Sequence, residues 1–277
     1  MTEPRYERAA FGRLFSFPGA HAYCDSAGDH YVAGHAVSPV EKAKPPVAGE
    51  ENRPMSNDQG TSQAQNGPIE TAEGREVVIS FEAKRCIHAR FCVLGQPGVF
   101  KANVVGAWIA PDDATSVADL VAVAQNCPSG AIQYRRKDGG QEEAAPLVNL
   151  IRVRENGPLA FRGPLMLDGV SVGYRATLCR CGQSKNKPFC DNSHKDAGFT
   201  ATGEPATGDV TPLASRNGPV TLAAMPNGPL AVTGNLEIIS GTGRTIRKAE
   251  KVTLCRCGAS ANKPYCDGSH ARIGFRS

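Results

Sequence analysis

The sequence predicts an α+β chain: a small α+β module over residues 75–137, followed by two tandem β-rich metal-binding repeats that pack together as a pseudo-dimer. Three observations carry this. Residues 177–199 read TLCRCGQSKNKPFCDNSHKDAGF, and residues 253–275 read TLCRCGASANKPYCDGSHARIGF, so one Cys/His pattern occurs twice. Upstream of each copy stands the phrase N-G-P-L-A, at 156–160 and again at 227–231. Between 75 and 137 a strand pattern, a helix pattern and a second strand pattern follow one another, with three Cys among them.

Composition limits the function classes. Thirty Gly and twenty Pro in 277 residues, with 6% aromatics, suit small loop-rich units in which metal supplies part of the folding free energy. A net charge of +4 is too weak for a nucleic-acid partner. Nine of the ten Cys fall in metal-type motifs and Cys24 outside them, which favours a reducing, cytoplasmic setting over a disulfide framework. No apolar run reaches the ~20 residues of a membrane span. No secretory h-region opens the chain.

Residues 1–74 are expected to be disordered or poorly structured, and 39–74, being Pro, Gly, Glu, Gln, Ser and Asn with few large apolar residues, read as disordered linker. His21, Cys24, His30 and His35 lack any regular ligand spacing and read as solvated. Met55 offers an alternative start.

In the module, EVVISF (76–81) alternates as a strand, and Thr115 or Ser116 can cap a helix carrying Val117, Leu120, Val121 and Ala124 on one face. IQYRR (132–136) closes it as a strand. Cys86 and Cys92 follow the first strand, and Cys127-Pro128 ends the helix. A Cys-Pro step also ends the C-x2-C-x2-C ligand run of bacterial ferredoxins, whose middle place is here Ala89. The stretch C-I-H-A-R-F-C with C-P-S-G-A-I resembles the divergent single-cluster ferredoxin domain. Two centres fit three Cys: a [3Fe-4S] cluster on Cys86, Cys92 and Cys127, or a [4Fe-4S] cluster with a substitute fourth ligand, for which His88 is nearest. Three buried thiols packed as small hydrophobes are the bland alternative.

Residues 138–146 read as a linker. The two repeats, 147–199 and 218–277, are joined by a second linker, 200–217. Asn-Gly between short alternating runs, such as 150–153 and 236–239, signals hairpins. The Cys motifs lie five residues farther apart than the N-G-P-L-A phrases, so the second repeat has a longer loop near 240–247.

Each repeat offers three thiolates and one imidazole: Cys179, Cys181, Cys190 and His194, then Cys255, Cys257, Cys266 and His270. That is a full ligand set for a soft or borderline metal centre. Pro188 and Pro264 fix φ before the third Cys. Asp191 or Asp267 stands where a helix N-cap would, so free N–H groups face the centre. A [2Fe-2S] centre, negatively charged and more so after reduction, suits that polarity. Structural zinc is the alternative, although zinc fingers space their first thiols C-x2-4-C.

Both stretches resemble the CDGSH (NEET) motif, C-x-C-x2-S-x3-P-x-C-D-G-S-H. The second copy matches throughout. The first has Asn192 in the Gly position, and Asn tolerates left-handed φ. The resemblance implies one [2Fe-2S] cluster per copy on three Cys and one His. Single-motif members form intertwined homodimers, so it also implies that the tandem chain is that dimer made covalent, a monomer needing no second chain.

Two function classes are expected. One is electron transfer or redox sensing with a partner protein. The other is storage and delivery of clusters to an apo-acceptor, favoured by an imidazole ligand that protonates more readily than thiolate. No catalytic constellation is readable, and Gly241-Thr242-Gly243 lacks the third Gly of a dinucleotide fingerprint.

Overall fold

The computed structural model describes residues 68–277. His21, Cys24, His30, His35 and Met55 lie outside them. Strands β1 (Ile69–Glu73), β2 (Val77–Glu82) and β3 (Ile132–Arg136) form an antiparallel sheet with β2 in the middle. Val77 and Ile79 of β2 and Ile132 of β3 point into one core with Val99, Phe100, Ile109, Leu120 and Ala124. Each of these side chains except Ala124 contributes about 1.5–3 kcal/mol by leaving water. A short helix α1 (Phe91–Gly95) and the longer α2 (Val117–Gln125) complete the unit. Ser116 caps α2, its Oγ accepting from the Asp119 N–H at 3.1 Å.

The disorder expected through residue 74 does not hold for 69–73, which form strand β1. Two Glu in five residues disguise this strand. It is an exposed edge, where charge blunts pairing with other chains. It is held by register with β2 and by Glu70, which accepts from Trp108 Nε1 at 3.0 Å.

The second sheet has six strands drawn from both repeats: β4 (Leu150–Val153), β5 (Leu159–Leu167), β6 (Val170–Leu178), β7 (Val220–Ala224), β8 (Leu230–Ile239) and β9 (Thr245–Leu254). Asn156 and Asn227 take positive φ in the five-residue turns before β5 and β8, a conformation Asn adopts more readily than most residues. The long hairpins β5–β6 and β8–β9 are joined by short strands. β4 pairs antiparallel with the start of β5 and parallel with the end of β8. β7 pairs antiparallel with the start of β8 and parallel with the end of β5. Each long strand changes partner at a register shift, beside Gly163 in β5 and Gly234 in β8. A methyl group on Gly234, at φ +140°, would lie 2.7 Å from the Pro219 carbonyl oxygen. The core between the hairpins takes nine buried side chains from each repeat, Ile151 to Phe189 and Val220 to Leu254. The longer loop of the second repeat is confined to 240–244, since β9 starts at Thr245.

The three-stranded unit is tied to the first repeat. Arg175 of β6 is 4% exposed. Its Nη1 donates to the carbonyls of Ala124 (2.6 Å) and Cys127 (2.8 Å) at the end of α2, and its Nη2 to Ile132 (3.1 Å). Cations at a helix C-terminus are favoured. Glu143 closes the site with a two-oxygen ion pair, at 2.8 and 2.7 Å. The stretch 138–146, read as a linker, is thus anchored through Glu143. Residues 200–217 are likewise fastened along the second repeat: Gly241 and Lys248 donate to the carbonyls of Gly203 and Asp209, and Gly208 donates to that of Ile246, each at 2.8 Å.

Gly130, next after Cys-Pro-Ser, lies at φ +67° against this junction. A methyl group there would meet the Arg175 carbonyl oxygen at 2.5 Å. Gly130→Ala combines left-handed backbone strain of about 1–2 kcal/mol with that clash. We expect it to loosen residues 69–137 from the repeats, seen as faster proteolysis near 138–146 with the six-stranded sheet intact.

Candidate metal centres

In each repeat the ligand-type side chains come from one hairpin end and one loop. Cys179 and Cys181 continue β6; Cys190 follows a loop whose Ser184 Oγ donates to the Phe189 carbonyl at 2.6 Å. Helix α3 (Ser193–Asp196) then carries His194. Repeat 2 copies this, with Ser260 donating to Tyr265 at 2.7 Å and α4 (Ser269–Arg272) carrying His270. The expected N-cap Asp is displaced by one residue. The cap positions are Asn192 (φ +73°) and Gly268 (φ +84°), both left-handed, so Asn does replace Gly in the turn. Asp191 and Asp267 still serve the helix, each accepting from the Ser N–H two residues on at 3.0 Å. Asn192 N–H and Gly268 N–H point at the sulfurs of Cys190 and Cys266, both at 3.5 Å.

The donors fall into pairs. Cys179 and Cys181 Sγ are 3.6 Å apart, and Cys190 Sγ is 3.5 Å from His194 Nδ1. In repeat 2 the distances are 3.8 and 3.4 Å. Two sulfurs each ~2.3 Å from one tetrahedral metal sit ~3.8 Å apart. Each pair therefore has the spacing of two ligands on one ion, with sulfur on one side and sulfur plus Nδ1 on the other. Among the described residues no three His, Cys, Asp or Glu side chains converge on one ion. Burial pushes the Cys190 thiol up to about 11 and raises Cys255. Cys179 and Cys181 share a proton through their hydrogen bond, which lowers the first and raises the second. A metal would have to displace these protons, so binding would release acid.

The sequence reading overlooked the residue between the first two Cys, which is Arg in both copies. Arg180 is 1% exposed. It donates from Nε to Gly157 O (2.9 Å), from Nη1 to Thr202 O (3.0 Å), and from Nη2 to Arg154 O (2.5 Å) and Ala201 O (3.1 Å). Burial pushes its guanidinium down to about 10, against the pull of Cys255 in the other repeat. Arg256 does the same with Gly228 and Met225, and feels Cys179 in return. The signal was the identical Cys-Arg-Cys in both copies. A charge flanked by Cys on both sides points toward the centre's surroundings, not solvent.

The two loops also touch. Cys181 and Cys257 form an antiparallel bridge. A methyl group on Gly182 would lie 2.5 Å from the Cys257 carbonyl oxygen. Lys187 of the first loop stands over the Phe275 ring of the second, and Lys263 of the second over Phe199 of the first.

In the three-stranded unit, Cys86, Cys92 and Cys127 line one cavity of about 330 Å³, together with His88, Ala89 and Trp108. Cys86 follows the 3₁₀ turn Ala83–Arg85, Cys92 lies in α1, and Cys127 stands two residues beyond the end of α2. Burial raises the thiols of Cys86 and Cys92. His88 takes φ +51°, and its Nδ1 is 3.9 Å from Cys86 Sγ, while its backbone N–H donates to that sulfur at 3.4 Å. Three sulfurs around a space many times the ~30 Å³ of a water suit a multi-atom group better than a lone ion.

Comparison with known proteins agrees with these motifs. The family described as iron-binding zinc finger CDGSH type matches residues 156–195 and 227–271. The family described as divergent 4Fe-4S mono-cluster matches residues 72–137. Two Escherichia coli relatives, the uncharacterized protein YjdI of strain K12 and that of O157:H7, are each 38% identical over 64 residues, covering 23% of this chain and 82% of theirs. Among the described residues no helix is long and apolar enough to cross a membrane. The chain is thus a tandem CDGSH-type iron-binding protein with a divergent 4Fe-4S mono-cluster domain before its two CDGSH repeats.

Proposed function

We propose that the chain is an iron–sulfur protein of electron transfer or redox sensing, with a [2Fe-2S] centre in each repeat and a cubane-type centre in the N-terminal domain. The carrying observation is the two-plus-two pairing of donors, since two ions each need two protein ligands while one zinc needs all four together. Cys179, Cys181, Cys190 and His194 would hold one centre, and Cys255, Cys257, Cys266 and His270 the other. Cys86, Cys92 and Cys127 would hold the third, with His88 the nearest candidate for a fourth ligand. Such centres supply a site that accepts and returns one electron. The protein's part is to keep them dry and to surround them with N–H dipoles and the cations Arg180 and Arg256.

The repeats form a pseudo-dimer within one chain, a reading supported by the exchanged strands β4 and β7, the shared core and the reciprocal Lys–Phe contacts. A redox partner protein would serve the electron-transfer role. Delivery of clusters to an apo-acceptor is the second reading. It is favoured by the unequal cover of the repeats: Cys190 and His194 are buried, whereas Cys266 and His270 are half-buried.

The deciding experiment is the visible and EPR spectrum of anaerobically purified chain with iron and sulfide counted. The repeats should contribute iron and acid-labile sulfide in equal amounts, about four of each. A colourless chain holding zinc would overturn the proposal. Ala89 lines the N-terminal cavity in the place where ferredoxins carry a Cys. Ala89→Cys is expected to convert a three-iron centre into an oxygen-stable four-iron one, seen as loss of the oxidised three-iron EPR signal.

A further inference from the structure

Arg85 is a cation set between the N-terminal cavity and the metal loop of the first repeat. It immediately precedes Cys86, and its side chain leaves its own domain. Nη2 donates to the β6 carbonyls of Arg175 (2.7 Å) and Val172 (3.3 Å). Its guanidinium carbon stands 5.2 Å above the ring of Phe189, the residue before Cys190. Alongside, Asn186 of the same metal loop donates to the Lys84 carbonyl at 2.9 Å. The Cys127 carbonyl accepts from Arg175, whose own carbonyl accepts from Arg85. The chain neighbours of Cys86 and Cys190 thus touch directly, and the Cys127 carbonyl joins them through Arg175.

Repeat 2 is finished differently. Tyr265, which stands before Cys266 as Phe189 does before Cys190, is covered by Arg247 of its own strand β9, again at 5.2 Å. Arg85 and Arg247 also share an odd feature: each has a buried Nε with no hydrogen-bond partner. The first repeat therefore obtains from the N-terminal domain the cation that the second supplies for itself. Arg85 is 6% exposed, so its charge is poorly screened. Its one ion-pair partner, Glu82, is 3.8 Å away, and burial raises that carboxyl toward its neutral form.

We infer that Arg85 couples the N-terminal centre to the first repeat, so that a change of charge at either is felt at the other, while the second repeat stands outside this contact. The inference rests on the cluster-binding reading above. By linkage the coupling is reciprocal. A centre that gains an electron makes its neighbour harder to reduce, and the intervening cation lowers the cost for both. Arg85 is a positioning residue here, acting through its charge on groups it does not ligate.

The test uses full-length chain purified without oxygen, with midpoint potentials read centre by centre in EPR-monitored titrations. Cys179→Ser with Cys181→Ser removes the repeat-1 centre, and Cys255→Ser with Cys257→Ser removes the repeat-2 centre. Loss of the negatively charged repeat-1 centre should raise the N-terminal midpoint, and loss of the repeat-2 centre should leave it in place. Arg85→Met should lower the midpoints of the N-terminal and repeat-1 centres together, and Arg85→Lys should restore them. An N-terminal midpoint indifferent to repeat 1, or equally shifted by loss of repeat 2, overturns the coupling even with all clusters present. If Arg85→Met undocks the domain, the Cys variants still decide. Iron and sulfide missing from the unmodified chain would instead overturn the cluster reading itself.

Discussion

Arg180→Met should cost about 3–5 kcal/mol, the range for breaking a buried charged network. That is a large share of the ~5–15 kcal/mol that holds a domain together. Four carbonyls, those of Gly157, Arg154, Thr202 and Ala201, take their donor from this one guanidinium. Met fills the volume but offers no N–H, so four carbonyls, that of Gly157 buried and the others partly covered, lose their donor at once. These carbonyls fasten the β4–β5 turn to the segment leaving α3, so the loss is not confined to one spot. The cation–π contact with Phe199, 5.5 Å from the guanidinium, goes too. Arg256→Met should cost less, since Arg256 reaches the carbonyls of Gly228 and Met225 and the Ser277 hydroxyl. Urea denaturation followed by far-UV circular dichroism measures both. A cost below ~1 kcal/mol for Arg180→Met would mean that water replaces the guanidinium.

What the sequence made legible was local. The metal loops could be read because their chemistry lies within 16 residues of chain each, from Cys179 to His194 and from Cys255 to His270. Asn192 could be placed in a left-handed turn because φ preference belongs to the residue itself. The hairpins at Asn156 and Asn227 followed for the same reason. The exchange of β4 and β7 could not be read, because a four-residue strand such as LIRV carries no label for its partner. Nothing local marks Arg175, because its carbonyl partners lie 43 to 51 residues earlier in the chain. Arg85 was hidden by its type, since a lone Arg is ordinarily on the surface, whereas Arg180 was marked by its recurrence as Arg256. Strand β1 was masked by its two Glu, which belong to its edge position and not to disorder.

Stripping the metal should melt the two loops before the sheet. Acid or a chelator applied to the purified chain, followed by hydrogen exchange at neutral pH, should expose the amides of 182–199 and 258–275. The amides of β5 and β8 should stay protected. The argument turns on where each part gets its stability. The sheet rests on buried apolar side chains of its own strands, eight from the first repeat and nine from the second, none of which is a metal ligand. The loops bury few large apolar side chains: Phe189 in the first, while around the second the clustered side chains are Cys255, Cys257 and Phe275. In zinc-finger peptides bound metal is worth on the order of 10 kcal/mol of folding free energy, and by the same logic loops that rest on metal are lost with it. The buried cations sharpen the effect. On the proposed reading, removal of an anionic centre from each repeat deprives Arg180 and Arg256 of a counter-charge while they remain out of water. Arg180→Met should therefore cost less in stripped protein than in loaded protein, and the difference between the two measurements reports the interaction of Arg180 with the centre. Equal costs in both forms would assign Arg180 to the carbonyl network alone. Simultaneous loss of protection in β5 and β8 would show that sheet and loops unfold as one unit.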